Sequence, residues 1–141
     1  MGSMSDQLEN DVLALIFQGG SITNIPTVTT GNFYIALYTT NPTDTAGSGT
    51  ETVYTNYARQ PVLRISSAWT ISGTSPTQCV NANQISFPTC GATGATITGF
   101  QIMSAVTGGT PYFWGALTAS LAVSNGITPQ IAAGALQIQL D

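Results

Sequence analysis

The clearest pattern in the chain lies near its end, where Leu136, Ile138 and Leu140 alternate with Gln137 and Gln139. A period of two predicts a strand with one face in the core and the other in a polar setting. Upstream, Phe33, Ile35 and Leu37 alternate with Tyr34, Ala36 and Tyr38, which predicts a strand that is apolar on both faces. Ile97 to Met103 and Tyr112 to Leu117 flank the turn-rich Thr107-Gly108-Gly109-Thr110 and predict a hairpin. Shorter strands are expected over Arg59 to Ile65, Ala68 to Ser72, Gln78 to Val80, Gln84 to Phe87 and Leu121 to Val123, with Pro61 marking the first of them as an edge. Asn125-Gly126 predicts a turn with positive φ. One segment alone has the helical period. Leu8, Val12, Leu15 and Ile16 recur along Asp6 to Phe17, Leu13 and Phe17 widen that apolar face, Asp6 and Glu9 suggest a capping box, and Gly19-Gly20 ends it.

Roughly seven to nine short strands separated by turn signals predict a mainly β fold. The expected architecture is an antiparallel β-sandwich or small barrel, jelly-roll-like, with one N-terminal α-helix. The helix and the polar, threonine-rich linker Ser21 to Thr30 make residues 1–30 a candidate attachment arm, and residues 31–141 the β-sandwich domain. The helix packs either on its own domain or, being so apolar, on a neighbouring subunit. Asn41 to Asn56 is read as a long contact loop, and Met1-Gly2-Ser3-Met4 as a cloning remnant ahead of Met4.

The polar positions are filled by Ser, Thr, Asn and Gln rather than by charge. Histidine and lysine are absent, and Arg59, Arg64 and six acids are the only charged side chains in 141 residues, for a net charge of −4. That removes the imidazole bases, His metal ligands and lysine nucleophiles from which most catalytic and metal sites are built. Two arginines cannot make a phosphate-binding patch, so nucleic acid is not an expected partner, and an anionic membrane surface is equally disfavoured. The strongly apolar run Val12 to Phe17 is far short of the ~20 residues that span a bilayer, and neither a signal peptide nor a transmembrane helix is expected. Cys79 and Cys90 are read as separate buried thiols, with a bond across a hairpin as the alternative. No cofactor is expected.

Few residues remain as candidates. Asp44 and Glu51 are the only acids near conceivable chemistry, as a hydrolase pair or with backbone oxygens as a calcium site; the reading placed first is solvated loop acids, or Glu51 paired with Arg59. Tyr54, Tyr57 and Arg59 are residue types of interface hot spots. Their first reading is structural, a tyrosine corner with Arg59 saturating loop carbonyls. Tyr112, Phe113 and Trp114 are consecutive, so in a strand they point to opposite faces, one in the core and one needing a cover. A sugar platform there ranks below core and subunit packing. Trp69 is read as core, with a partner needed for its indole N–H. The interaction candidates are therefore Asp44, Glu51, Tyr54, Tyr57, Arg59, Tyr112 and Trp114.

The runs Phe33 to Asp44 (FYIALYTTNPTD), Gly49-Thr50-Glu51, Tyr57 to Val62 (YARQPV), Ile85 to Pro88 (ISFP), Gly115-Ala116-Leu117, Leu121 to Pro129 (LAVSNGITP) and Ala132 to Leu136 (AAGAL) together carry a likeness. They resemble a family of small tailed-phage virion structural proteins, whose members are labelled tail fibre proteins or, for similar small β proteins, capsid cement. The resemblance implies a β protein assembled in many copies with no catalytic residues to carry over. The leading expectation is a capsid decoration protein that stabilises the head through protein–protein contacts, and the alternative is a tail-fibre or receptor-binding module touching host glycan. A cell-wall hydrolase resting on Asp44 and Glu51 comes last. Expected partners are sister subunits, a trimer being one order considered, and other virion proteins, the major capsid protein first, with assembly in the host cytoplasm.

Overall fold

The computed structural model describes residues 2–74 and 76–140. Among them the elements run β1 (Gly2–Met4), α1 (Asp6–Phe17), β2 (Asn32–Thr40), β3 (Thr50–Glu51), β4 (Gln60–Leu63), β5 (Trp69–Ser72), β6 (Thr77–Asn81), β7 (Ile85–Ser86), β8 (Ala95–Met103), β9 (Pro111–Val123), β10 (Gln130–Ile131) and β11 (Gln137–Leu140). One sheet takes the order β3, β2, β8, β9, β1, β11, β6, β5, with β4 also paired to β2, and β7 with β10 makes a separate ribbon. All pairs are antiparallel except β1 with β11. The fold is mainly β with one helix, as the hydrophobic pattern predicts.

Alternation explains how the sheet closes. Ile35 and Leu37 of β2, Ile97, Phe100 and Ile102 of β8, Val123 of β9 and Ile138 of β11 share one buried cluster. From the opposite face of β2, Ala36 and Tyr38 form a second cluster with Met103. The strand expected to be apolar on both faces is buried on both. Phe33 of β2 meets Trp69 of β5 edge to face at 6.1 Å, and Trp69 Nε1 donates to the Leu63 carbonyl of β4 at 3.0 Å. The two ends of the sheet thus fold over a common interior, giving a sandwich-like layering.

Several expectations need adjustment. Residues 112–117 and 121–123, predicted as two strands, are one strand, β9. Its register with β8 jumps from Gly99 opposite Ala116 to Ile97 opposite Leu121, leaving residues 117–120 without partners in β8. That wide irregularity is what the sequence pattern registers as a break. The segment Asn41 to Asn56 is not all loop: β3 within it pairs with Tyr38 and Thr40 of β2. Gly2–Met4, read from the sequence as a remnant, lies inside the sheet between β9 and β11. A glycine suits that crossing, because a Cβ at position 2 would collide with the end of the Ile138 side chain and lie 3.2 Å from the Trp114 carbonyl oxygen.

The helix starts one residue earlier than a cap at Asp6 would have it. Ser5, in an extended conformation, accepts from Leu8 N at 3.3 Å and is the cap, and its hydroxyl donates to the Pro111 carbonyl at 2.6 Å. The anchoring of Ser5 on β9 selects it over Asp6. Only Leu8 and Asp11 of α1 are buried. The middle of the inward face is thus a carboxylate, which accepts from Thr23 N at 2.7 Å, Thr23 Oγ1 at 3.2 Å and Gln7 Nε2 at 2.9 Å and so ties the linker to the helix. Leu13, Leu15, Ile16 and Phe17 stay exposed.

A buried amide that the sequence reading missed fixes the approach to β11. Asn81 is 1% exposed, donates to the Asn83 and Ala132 carbonyls, each at 2.8 Å, and accepts from Leu136 N at 2.8 Å. With Leu136 placed this way, Ile138 falls on the inner face, 4% exposed and opposite Cys79. An Ile138→Asp substitution would bury an unpaired carboxylate, at a cost of several kcal/mol. We expect it to abolish the cooperative thermal transition seen by far-UV circular dichroism; a soluble variant that melts like the parent would show that β11 faces the other way.

Candidate functional site: an internal clamp and an uncharged surface

Arg59 sits immediately before β4, and Glu51 ends β3, so two short strands paired to the same edge of β2 bring them together. Arg59 Nε donates to Glu51 Oε1 at 2.8 Å and its Nη2 to Oε2 at 2.7 Å, a two-pronged pair matched to the carboxylate geometry. The Nη1 group donates to the carbonyls of Ala105 at 2.8 Å and Gly108 at 2.7 Å. Arg59 therefore does saturate loop carbonyls, but those of the β8–β9 turn rather than of its own loop. Tyr57 completes the clamp: its hydroxyl donates to Glu51 Oε1 at 2.8 Å and accepts from Leu37 N at 3.0 Å. Tyr54 packs against Tyr57 with ring centroids 5.3 Å apart and donates to the Pro88 carbonyl at 2.9 Å.

The electrostatics of the clamp do not suit general acid chemistry. Burial works to raise the Glu51 carboxyl, but the hydrogen bonds and charge of Arg59 together with the Tyr57 hydroxyl outweigh it and hold the group below its usual range. The hydrogen bond to Glu51 raises Arg59 in turn. Burial pushes the Tyr57 phenol far up, so it remains a neutral donor. A glycosidase acid needs the opposite, a carboxyl raised beside an apolar wall.

Asp44 has different partners. Its Oδ1 accepts from Trp114 Nε1 at 2.7 Å, and the same indole N–H points at the Met4 carbonyl at 3.0 Å. Each of the two acids is thus engaged by its own set of groups, and no arrangement flanks a common substrate position. Tyr112 is the unpaired residue where the β8–β9 register shifts near its start; it is 1% exposed, stacks edge-on against Phe33 and donates to the Thr23 carbonyl at 2.8 Å. Burial pushes its phenol up to about 12. Of the residues singled out from the sequence, Glu51, Tyr54, Tyr57 and Arg59 meet in one cluster, while Asp44 with Trp114, and Tyr112, tie other segments to the sheet. Cys79 is half-buried and Cys90 buried, and both are free thiols. Among the described residues no group of three His, Cys, Asp or Glu side chains gathers that could hold a metal, and no helix is long and apolar enough to cross a membrane.

What the sequence reading passed over is an open apolar cleft of about 720 Å³ between the sheet ends, walled by Phe33, Trp69, Ile71, Cys79, Phe113 and Ile138, with Arg64 beside it. Its residues read as ordinary inward strand positions, and only the way the sheet curls leaves them uncovered. Gln101 was also missed. It is 2% exposed, accepts from the Tyr38 hydroxyl at 2.6 Å, and keeps its Nε2 without a partner.

The clamp makes two measurable demands on stability. Arg59→Met would leave two carbonyls without the guanidinium and Glu51 with a single donor, at roughly 2–4 kcal/mol, moderated by the partial solvent access of Glu51. A matching drop in chemical-denaturation stability is expected. The Glu51 carboxyl is depressed in the folded state, so its contribution is present above the unfolded value of 4.5 and is lost as pH falls through the folded value beneath it. Asp11, lowered chiefly by its hydrogen bond from Thr23 N, acts in the same direction below 3.8. The thermal midpoint should therefore fall on acidification below 4.5, and Glu51→Gln should flatten that fall without removing it.

A fold held by such internal ties, with a surface of uncharged side chains, describes a scaffold more than a reaction site. Among curated proteins, none matches this sequence. The family described as Podophage GP4 fiber I protein gp80 matches residues 3–139. Because that match takes in nearly every strand and the helix, the chain belongs to this family of phage fibre proteins, and it is a virion structural protein.

Proposed function

We propose that this protein is a non-enzymatic structural subunit of a phage fibre, working through contacts with copies of itself and with neighbouring virion proteins. The observation that carries the proposal is the character of the surface: Leu13, Ile16, Phe17, Val53 and Ile71 are each more than half exposed on a chain with almost no charge to keep neighbours apart. The fibre location takes its support from the family description. Assembly in the host cytoplasm accords with two thiols that stay unpaired. Host glycan recognition is no part of the proposal, since Tyr112 is buried under the linker and Trp114 uses its indole N–H on Met4 and Asp44.

Capsid decoration is the second reading, favoured by the lack of a shaft-like repeat within these residues. Copy number separates the two. Quantitative mass spectrometry of purified particles, with gold labelling of the protein, should find it at the tail in numbers far below those of the major capsid protein. A count near that of the shell protein, spread over the head, would replace the fibre reading by decoration, and absence from particles would end both.

A further inference from the structure

We propose that the apolar ridge at the C-terminal end of α1 in one copy seats in the open cleft of a second copy. The inference rests on the structural-subunit reading and names the surfaces that do the work. Leu13, Ile16 and Phe17 are spaced by three and four residues, so they share one side of the helix, and they are 56%, 65% and 77% exposed. The cleft offers a complementary hollow of about 720 Å³, walled by aromatic and branched side chains.

Charge decides what can enter. A segment bearing basic side chains would bury them against Phe33, Trp69 and Phe113, where the one charged lining residue, Arg64, is itself a cation. The ridge carries none. The last turn of α1 holds no basic residue, so the partial negative charge of its C-terminal carbonyls is uncompensated. Arg64 lines the cleft; among the described residues it makes no ion pair, and its Nη1 donates to the Pro26 carbonyl at 3.0 Å, leaving further guanidinium donors for an incoming helix end. The ridge and the cleft thus match in polarity.

The ridge of the same copy does not fill the cleft, since Leu13, Ile16 and Phe17 are exposed. Ser5 anchors the start of α1 on Pro111, and Asp11 fixes the linker to its inward side, which holds the ridge outward. Because ridge and cleft are different surfaces, the contact is head-to-tail and closes into a ring or propagates as a filament, as the rotation between copies dictates.

The test uses the full chain and two surface substitutions, Phe17→Asp on the ridge and Ile71→Asp at the cleft, where Ile71 is 72% exposed. By sedimentation the parent protein should self-associate, and each variant should weaken that association roughly tenfold to a hundredfold, the loss from one buried large side chain. Far-UV circular dichroism should stay unchanged. Cys79 in the cleft wall supplies a second readout: its alkylation should slow as the parent is concentrated and should not slow in Phe17→Asp. A parent that stays monomeric, an association that ignores either substitution, or labelling of Cys79 that is indifferent to concentration would each overturn the docking. Any of these leaves the fibre location standing, whereas absence of the protein from particles overturns the location and leaves the docking result intact.

Discussion

The pairing of Arg59 with Glu51 is the single ion pair among the described residues, and three separate parts of the chain converge on it. Glu51 brings the long segment after β2, Arg59 brings the start of β4, and the Ala105 and Gly108 carbonyls bring the β8–β9 turn. Tyr57 then passes the arrangement to the backbone of β2 through Leu37 N. Because Arg59 is 8% exposed, an unpaired guanidinium there would be costly, so the pair acts less as a source of net stability than as a constraint on which arrangement of these segments is allowed. A chain with so few charges has little other means of fixing its loops.

Elsewhere the same job falls to hydrogen bonds outside any ion pair. Asn81 holds the segment before β11, Asp11 holds the linker through Thr23, Trp114 holds Asp44 and Met4, and Tyr112 holds Thr23. Each joins residues distant in sequence, so polar side chains in this fold carry long-range topology rather than surface solubility. Most of the apolar interior is built from inward strand positions, with Tyr54, Phe87, Cys90 and Leu136 added from the connecting segments.

That division accounts for what could be read from the chain. The strands β2 and β11 were legible because burial imposes a period on them, whereas the helix over Asp6–Phe17 was legible from an apolar period of which Leu8 alone is buried. The Glu51–Arg59 pair stood among the readings offered beside solvated loop acids, since two arginines and two loop acids leave few possible pairs. Strand β1 was not, because three residues with Gly and Ser carry no period, and their place depends on the gap between β9 and β11. The register jump that leaves residues 117–120 unpaired likewise follows from geometry across two strands. Asn81 and Gln101 gave no signal because an amide in a strand looks the same whether it faces solvent or satisfies a buried loop. The cleft was hidden for a related reason: Phe33, Phe113 and Ile138 follow the inward rule, and only the closing angle of the sheet decides that part of their surface stays open.

The edges of the sheet carry the argument one step further. Strand β5 ends the main sheet, with Thr70, Ile71 and Ser72 exposed, and nothing at that edge supplies the lysine, the inward charge or the proline by which solitary β proteins discourage pairing. At the other end Pro61 does blunt β4, where it faces Tyr34. The protection is therefore one-sided, and the unprotected edge is the one that borders the cleft through Trp69 and Ile71. A sequence selected to stay monomeric would place its few charges there first. This chain instead commits one of its two arginines to an internal clamp and sets the other beside the opening, an allocation that makes sense for a surface meant to be covered.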